Sequence, residues 1–145
     1  MKMKEFSFST DTATLCVFDP SRLKHRLNDD ADWWTTSDDE LIEVNKGNVA
    51  FFGLGSDGTY RVSFAESPLP DSAHINVQVS SGRVFIGAGE EVTSGGLEPE
   101  GLRGVFVDLA AGSYTVAVKR EGSLLTVVFM PGEEGCNDFS RPVFA

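Results

Sequence analysis

The feature that most constrains this chain is a repeated alternation of apolar and polar residues, interrupted at short intervals by glycine-containing turns. Tyr60, Val62 and Phe64 alternate with Arg61 and Ser63, and similar runs occur before and after them. A period of two with one apolar face is typical of a half-buried antiparallel strand. The apolar positions of these runs, which we predict to be mostly buried, are Phe6, Phe8, Leu15, Val17, Tyr60, Val62, Phe64, Ile75, Val77, Val107, Val116, Val118 and Val127.

Two runs, residues 15–18 and 124–129, carry apolar residues on both faces, which favours central strands. Glycines at positions 58, 82, 112 and 122 stand between runs, where a hairpin turn uses a positive φ. The pattern therefore predicts an all-β fold, an antiparallel sandwich or barrel of about nine strands. The length of 145 residues fits a single β-rich domain over residues 1–145.

Two short helices are predicted in the first third of the chain. Asp19 and Pro20 supply an N-cap and a first-turn proline, followed by Leu23 and Leu27 on one helical face. Residues 37–40 form a capping-box pattern, and Gly47 stands where that second helix should end.

The sequence also contains a weak internal repeat. Residues 47–55 resemble residues 82–89, and each segment is followed by a Gly-x-Tyr-x-Val pattern, at 58–62 and at 112–116. Two related structural units would explain this, but Gly-x-Tyr-x-Val is also a common hairpin sequence. The sequence leaves both explanations open.

Charge excludes several kinds of partner. The 22 carboxylates and 12 Lys and Arg residues give a formal net charge of −10, which would repel nucleic acids and anionic membrane surfaces. We find no apolar run of the roughly 18 residues that a membrane span needs, and no signal peptide at the start. Two cysteines make no disulfide framework, so we expect a reducing, cytoplasmic location.

No motif points to catalysis, a cofactor or a metal. Residues 53–58 match G-x-G-x-x-G, but a strand pattern follows them where a dinucleotide site would need a helix. His25 and His74 have no second metal ligand at useful spacing, Cys16 lies within an apolar strand, and carboxylates next to Cys136 disfavour its thiolate. We therefore expect no required cofactor, no metal and no catalytic cysteine. A pair of carboxylates that meet in space stays open as an acid–base site.

The most distinctive segment is residues 28–43, which contains seven carboxylates, both tryptophans of the chain and no basic residue. Adjacent residues of an extended segment face opposite ways, so one tryptophan is expected to pack inward and the other to be exposed as an apolar anchor. Alternatively, both tryptophans belong to the core, and the acids are solvated or paired with Arg22, Lys24 and Arg26. The predicted partner-binding residues are Asp29, Asp30, Asp32, Trp33, Trp34, Asp38, Asp39, Glu40 and Glu43. The irregular stretch at 90–104 is the next candidate.

The sequence resembles a bacterial family known only as a domain of unknown function. The resemblance lies in residues 10–15, the Asp-Ala-Asp-Trp-Trp run at 30–34, residues 47–49 and 53–60, and residues 82–91. It implies a bacterial, stand-alone cytoplasmic protein, and it assigns no role to any residue.

These observations favour a non-catalytic, acidic protein-binding domain that binds a basic protein. The most specific hypothesis is an immunity or antitoxin-type inhibitor of a basic toxin, because opposite charge accelerates association and suppresses wrong partners. One alternative is a small-ligand-binding protein or enzyme with a carboxylate-lined pocket at the mouth of a barrel. A second alternative is an accessory subunit of a larger assembly.

Overall fold

Ten strands form two five-stranded sheets in the computed structural model, which describes residues 4–26, 29, 33–67, 69–92, 103–132 and 135–145. The strands are β1 (Phe6–Thr10), β2 (Thr14–Phe18), β3 (Ala50–Gly53), β4 (Gly58–Phe64), β5 (Ala73–Val79), β6 (Arg83–Ala88), β7 (Gly104–Asp108), β8 (Gly112–Glu121), β9 (Leu124–Pro131) and β10 (Val143–Phe144). The first sheet has the order β1-β4-β9-β8-β5, and the second has the order β10-β3-β2-β6-β7. The β-dominated sandwich is confirmed. The predicted count of about nine strands was slightly low, and β10, with two residues, is too short to show a period.

The sheets are mixed rather than purely antiparallel, which corrects the prediction. β4 pairs in parallel with β9, and β3 pairs in parallel with β10, whereas the other pairings among the described strands are antiparallel. Alternation predicts which face of a strand is buried, but it does not predict which neighbour a strand pairs with.

Three of the four predicted glycine hairpins are instead connections between the two sheets. Gly122, with a φ of +65°, does turn the hairpin between β8 and β9. Gly58, Gly82 and Gly112 also have positive φ, but each stands where the chain passes from one sheet to the other. A turn with positive φ reverses the chain in either case, so the local sequence does not distinguish them.

The core lies between the sheets and continues across the second sheet. Ten of the 13 predicted core residues are buried, and Phe6, Phe64 and Val107 are half-buried and pack against the same cluster. The two strands predicted to be central, β2 and β9, each occupy the middle of a sheet, and all five residues of β2 are buried.

One of the two predicted helices is present. Helix α1 spans Ser37–Asn45, and Gly47 follows it with a φ of +76°. Its N-cap is Thr36 rather than Ser37, and the Thr36 side chain makes no capping hydrogen bond, so the capping-box prediction was wrong.

The other predicted helix was wrong: Pro20–Arg22 and Lys24–Arg26 form two single 3-10 turns, and Leu27 lies outside the described residues. Asp19 caps the first of these turns, because its Oδ1 accepts a hydrogen bond of 2.9 Å from the Ser21 N–H. Its Oδ2 accepts two more, each 2.7 Å long, from the backbone of Ser80 and Ser81. Burial would raise the pKa of Asp19, but these hydrogen bonds outweigh it and lower the pKa. The Asp19 side chain therefore fixes this segment to the β5–β6 connection.

The two copies of the internal repeat occupy corresponding positions in the fold. In each copy the first strand belongs to the second sheet, and the strand with the Gly-x-Tyr-x-Val pattern belongs to the first. β3 and β6 flank β2 in the second sheet, and β4 and β8 flank β9 in the first. The Tyr60 hydroxyl donates to the Ser56 carbonyl at 2.7 Å, and the Tyr114 hydroxyl donates to the Ala110 carbonyl at 2.6 Å. Both tyrosines thus fix the turn that precedes their strand in the same way, which favours two related structural units.

Candidate functional site

Both tryptophans pack onto the second sheet, so the expectation of one exposed tryptophan was wrong. Trp33 and Trp34 are only 6% and 5% exposed. Trp34 stacks on Phe51 of β3 with ring centroids 5.1 Å apart, and Trp33 meets the same ring edge-on at 6.4 Å. Residues 33–35 form a 3-10 turn, and consecutive side chains of such a turn do not face opposite ways as they do in a strand. The alternative in which both tryptophans belong to the core holds.

Glu43, one of the predicted surface acids, is instead buried within a network of charged and polar groups. Its carboxylate accepts a hydrogen bond from Arg26 Nε at 2.8 Å, lies 2.9 Å from His25 Nε2 and accepts another from Asn48 Nδ2 at 2.9 Å. Burial would raise the pKa of Glu43, but Asn48, Arg26 and His25 outweigh it and lower the pKa. Glu43 therefore fastens α1 to the preceding 3-10 turns, and it is not available to a partner.

Arg26 also neutralises two of the exposed acids. Its Nη1 lies 3.1 Å from Asp29 and 3.4 Å from Asp39, and its guanidinium carbon stands 4.6 Å from the centroid of the Trp33 ring. The expected pairing of the acidic stretch with the preceding basic segment is thus seen at Arg26. Asp30 and Asp32, which complete the predicted stretch, lie outside the described residues.

The outer face of α1, formed by Asp38, Asp39 and Ile42, carries what remains of the predicted surface. Asp38 is exposed and has no ion-pair partner in the described part of the chain. Ile42 lies one helical turn beyond Asp38, on the side opposite buried Val44, and 46% of it is exposed. An exposed apolar residue beside an acid without an ion-pair partner among the described residues is therefore present, but the apolar residue is Ile42 rather than a tryptophan.

Glu40 faces away from that outer surface and lines a groove of about 400 Å³. The groove lies between the β1–β2 turn, the first turn of α1, β3 and β10. Its lining includes Thr12, Thr14, Ser37, Glu40, Gly53 and Phe144. Phe144 is 66% exposed, and it is one of two large apolar residues so exposed in the described part of the chain, the other being Ile42.

The carboxyl of Glu40 has no hydrogen-bonding or ionic partner among the described residues. Because burial disfavours the charged form and no cation compensates, the pKa of Glu40 rises to about 7. The pKa of Glu40 is thus raised, whereas that of Glu43 is lowered because Asn48, Arg26 and His25 stabilise its charge. A carboxyl that titrates near neutrality at the wall of a groove is suited to bind a cation or to exchange a proton.

The two cysteines differ in their surroundings. Cys16 is fully buried in β2, where burial, with Glu90 and Glu91, raises the pKa of its thiol well above its usual range. Cys136 is exposed. Across the described residues, no group of three or more His, Cys, Asp and Glu side chains is arranged to hold a metal ion, and no helix could span a membrane.

The second candidate segment, residues 90–104, falls mostly outside the described residues, which omit 93–102. Its described end carries Glu90, which accepts hydrogen bonds from the Thr10 hydroxyl at 2.7 Å and from Arg103 Nη1 at 2.8 Å. Burial would raise the pKa of Glu90, but its hydrogen bonds, the one from the Asp11 N–H first among them, lower it. These contacts tie the segment to the β1–β2 turn.

Neither Ile42 nor Phe144 was among the predicted site residues. A helical projection from Ser37 places Ile42 with Asp38 and opposite Val44, so the pattern did contain that information. Nothing in the local sequence links Phe144 to Glu40, because β10 reaches the groove only through its pairing with β3.

Two solved structures share this fold. One is described as the crystal structure of ComJ, inhibitor of the DNA degrading activity of NucA, from Bacillus subtilis; its identity is 13%, its TM-score is 0.55, and the match covers 91% of this chain and 98% of ComJ. The other is the product described as crocagin biosynthetic gene J, with 16% identity, a TM-score of 0.53 and coverage of 90% of this chain and 100% of that one. At these identities the likeness establishes the fold alone.

Among curated proteins, no sequence matches this chain. A family model does match, over residues 1–144, and its description is a family of unknown function, DUF6386. The resemblance found in the sequence is confirmed at the level of an uncharacterised family. The chain belongs to the DUF6386 family.

Proposed function

We propose that this chain is a non-catalytic inhibitor of the immunity or antitoxin type, which binds a basic protein through the outer face of α1. The observation that carries the proposal is the exposure of Ile42 beside Asp38 and Asp39. An apolar anchor flanked by acidic side chains is a composition suited to a protein interface.

The overall charge of −10 supports a basic partner, because long-range attraction raises the rate of encounter. The fold gives a precedent, since ComJ, which shares it, is described as an inhibitor of the DNA degrading activity of NucA. The buried network of Arg26 and Glu43 supports the proposal as well, because it fastens α1 to the preceding 3-10 turns and so preorganises its outer face.

The test begins with affinity purification from the native host and identification of the protein that copurifies. Association and dissociation rates are then measured at two salt concentrations for the parent, for Asp38→Asn with Asp39→Asn, and for Ile42→Ala. Charges at an interface rim mainly set the association rate, whereas an apolar anchor mainly sets the dissociation rate. We expect the double acid variant to associate severalfold more slowly with a flatter salt dependence, and Ile42→Ala to dissociate about tenfold faster, equivalent to about 1.4 kcal/mol.

Glu121→Gln is the matched control, because Glu121 is exposed on the β8–β9 turn of the first sheet, whereas α1 packs on the second. It removes one charge and should leave both rates within twofold of the parent. Parent-like rates in all α1 variants would contradict the proposal.

The groove supports a second candidate, binding of a small ligand, since Glu40 and Phe144 both line it. Glu40 is the one carboxylate among the described residues that line the groove, so the arrangement does not support an acid–base pair of carboxylates. Binding of a small molecule by the purified protein, with no copurifying protein partner, would favour this candidate.

A further inference from the structure

We infer that the groove beside α1 is a receptor for one arginine side chain of the partner, with Glu40 as the carboxylate and Phe144 as the aromatic platform. This inference rests on the proposed function and deepens it, because it assigns the chemistry of one partner residue. Ser37 and Glu40 line the groove while Asp38 and Ile42 stand on the outer face, so one short helix contributes to both surfaces.

Glu40 is an acid with no cation beside it among the described residues. The described acids nearest to it on α1, Asp39 and Glu43, both contact Arg26, and Glu40 does not. The described parts of the β1–β2 turn, β3 and β10 that line the groove contribute no titratable side chain. A cation entering the groove would therefore meet one partly desolvated carboxylate and no positive charge among the described residues that line it.

The Phe144 ring lies directly against Gly53 of β3. A side-chain carbon at position 53 would collide with the Cδ2 and Cε2 atoms of that ring. Gly53 therefore allows the ring to lie close to the strand, yet 66% of Phe144 is exposed. An aromatic side chain that is fixed by its neighbour and still open to solvent is a suitable face for a cation.

The backbone is strained in the β1–β2 turn, which forms one wall of the groove. Ala13, between Thr12 and Thr14, has a φ of +51°, which costs a residue with a Cβ about 1 kcal/mol or more. Its carbonyl accepts a hydrogen bond of 2.7 Å from the Leu54 N–H, which holds the turn in this conformation. Strain of this kind is concentrated at binding sites, and here it shapes the wall that Thr12 and Thr14 line.

Arginine fits this combination better than other cations. A guanidinium is planar, can donate two parallel hydrogen bonds to a carboxylate and stacks on aromatic rings. The hydroxyls of Thr12, Thr14 and Ser37 can accept its remaining N–H groups. The volume of about 400 Å³ is at the lower end of ligand pockets and is sufficient for one side chain.

The test uses Nα-acetyl-arginine amide as the probe, with Nα-acetyl-citrulline amide as its uncharged match, and needs no partner protein. Backbone amide signals of residues lining the groove are followed by NMR while each probe is added to the full chain. We expect the arginine probe to shift the signals of Thr12, Thr14, Gly53 and Gly55 saturably, and the citrulline probe to leave them in place. Ionisation of Glu40 near pH 7 should make the arginine probe bind about tenfold more tightly at pH 8 than at pH 6.

Three variants separate the proposed contacts from general effects. Glu40→Gln should abolish saturable binding, and Phe144→Leu should weaken it severalfold. Asp38→Asn should bind the probe like the parent, because Asp38 carries the same charge on the same helix but does not line the groove. Equal shifts with citrulline, or parent-like binding by a folded Glu40→Gln, would overturn the inference. Because no partner is involved, probe binding can fail while the outer face of α1 still binds a protein, so the two failures are distinguishable.

Discussion

Replacement of Glu40 by glutamine should stabilise the protein, although it removes a charged residue from a helix. The folded state raises the pKa of Glu40 from 4.5 to about 7. A carboxyl with a raised pKa holds its proton more tightly when folded, so its ionisation reduces the free energy of unfolding as the pH rises from 4.5 to 7. Above pH 7 this loss is complete, and glutamine, which cannot ionise, avoids it.

The magnitude follows from the size of the shift. Each pKa unit corresponds to about 1.4 kcal/mol, which gives an upper limit of about 3 kcal/mol. Glu40 is only half-buried, so solvent screening reduces this figure roughly by half. The glutamate charge also interacts favourably with the N-terminus of α1, by about 0.5 kcal/mol, and the variant loses that interaction. A gain of roughly 1 kcal/mol remains, or about 2–4 °C in Tm for a domain of this size.

Urea unfolding of the parent and of Glu40→Gln at pH 8 and pH 4 would measure this. The variant should be more stable at pH 8 and equal to the parent at pH 4, where both states of the parent carry the proton. A variant that is no more stable at pH 8, or that differs equally at both pH values, would refute the reasoning. A gain would also mean that the protein maintains a destabilising carboxyl, which is common where a residue serves function rather than stability.

Three further predictions concern the core, the buried network and metal binding. Truncation of fully buried Val62 or Val116 to alanine should cost about 1–3 kcal/mol in urea unfolding, and a smaller cost would show that the two sheets repack around the cavity. Glu43→Gln should cost roughly 3 kcal/mol at pH 7, because it leaves Arg26 partly unpaired in a buried site. The lowered pKa of Glu43 contributes stability above pH 4.5 that is lost as the pH falls through the folded pKa, so the cost should shrink in acid; a constant cost would contradict the role of its charge. A chelator should leave Tm unchanged, and a drop of several degrees would reveal a bound metal that the sequence did not indicate.

The alternation of apolar residues predicted the sandwich because it shows which face of each strand is buried. That information does not depend on the order of the strands in the sheet. Ile75 and Val77 could therefore be placed in the core without knowing that β5 pairs with β8. The parallel pairing of Arg61 with Leu124 had no local signature, because it depends on how the two sheets alternate along the chain. The 3-10 turns at residues 20–26 were mistaken for a helix because Asp19 and Pro20 begin a 3-10 turn with the same cap pattern that begins a helix.

The candidate site, like the fold, was predicted where it depends on neighbouring residues and missed where it depends on contacts between distant ones. The sequence singled out the acidic stretch, but it could not show that Arg26 would neutralise Glu43 or that Phe51 would cover both tryptophans. These outcomes depend on contacts between residues far apart in the chain. Within α1 itself, where side-chain direction follows from helical geometry, the separation of Asp38 and Ile42 from Glu40 could have been derived.

The two parallel pairings have a consequence for how the chain is made. The pairing of β4 with β9, and that of β3 with β10, can form only after the later strand of each pair has been synthesised. Both later strands lie in the second half of the sequence. During synthesis, β4 can pair with β1 on one side while its other edge stays open, with Val62 not yet enclosed. Folds dominated by such distant pairings acquire structure slowly, in milliseconds to seconds, and their open edges can pair with other chains meanwhile. Expression yield should therefore depend on temperature and chaperones more than the final stability of the sandwich suggests.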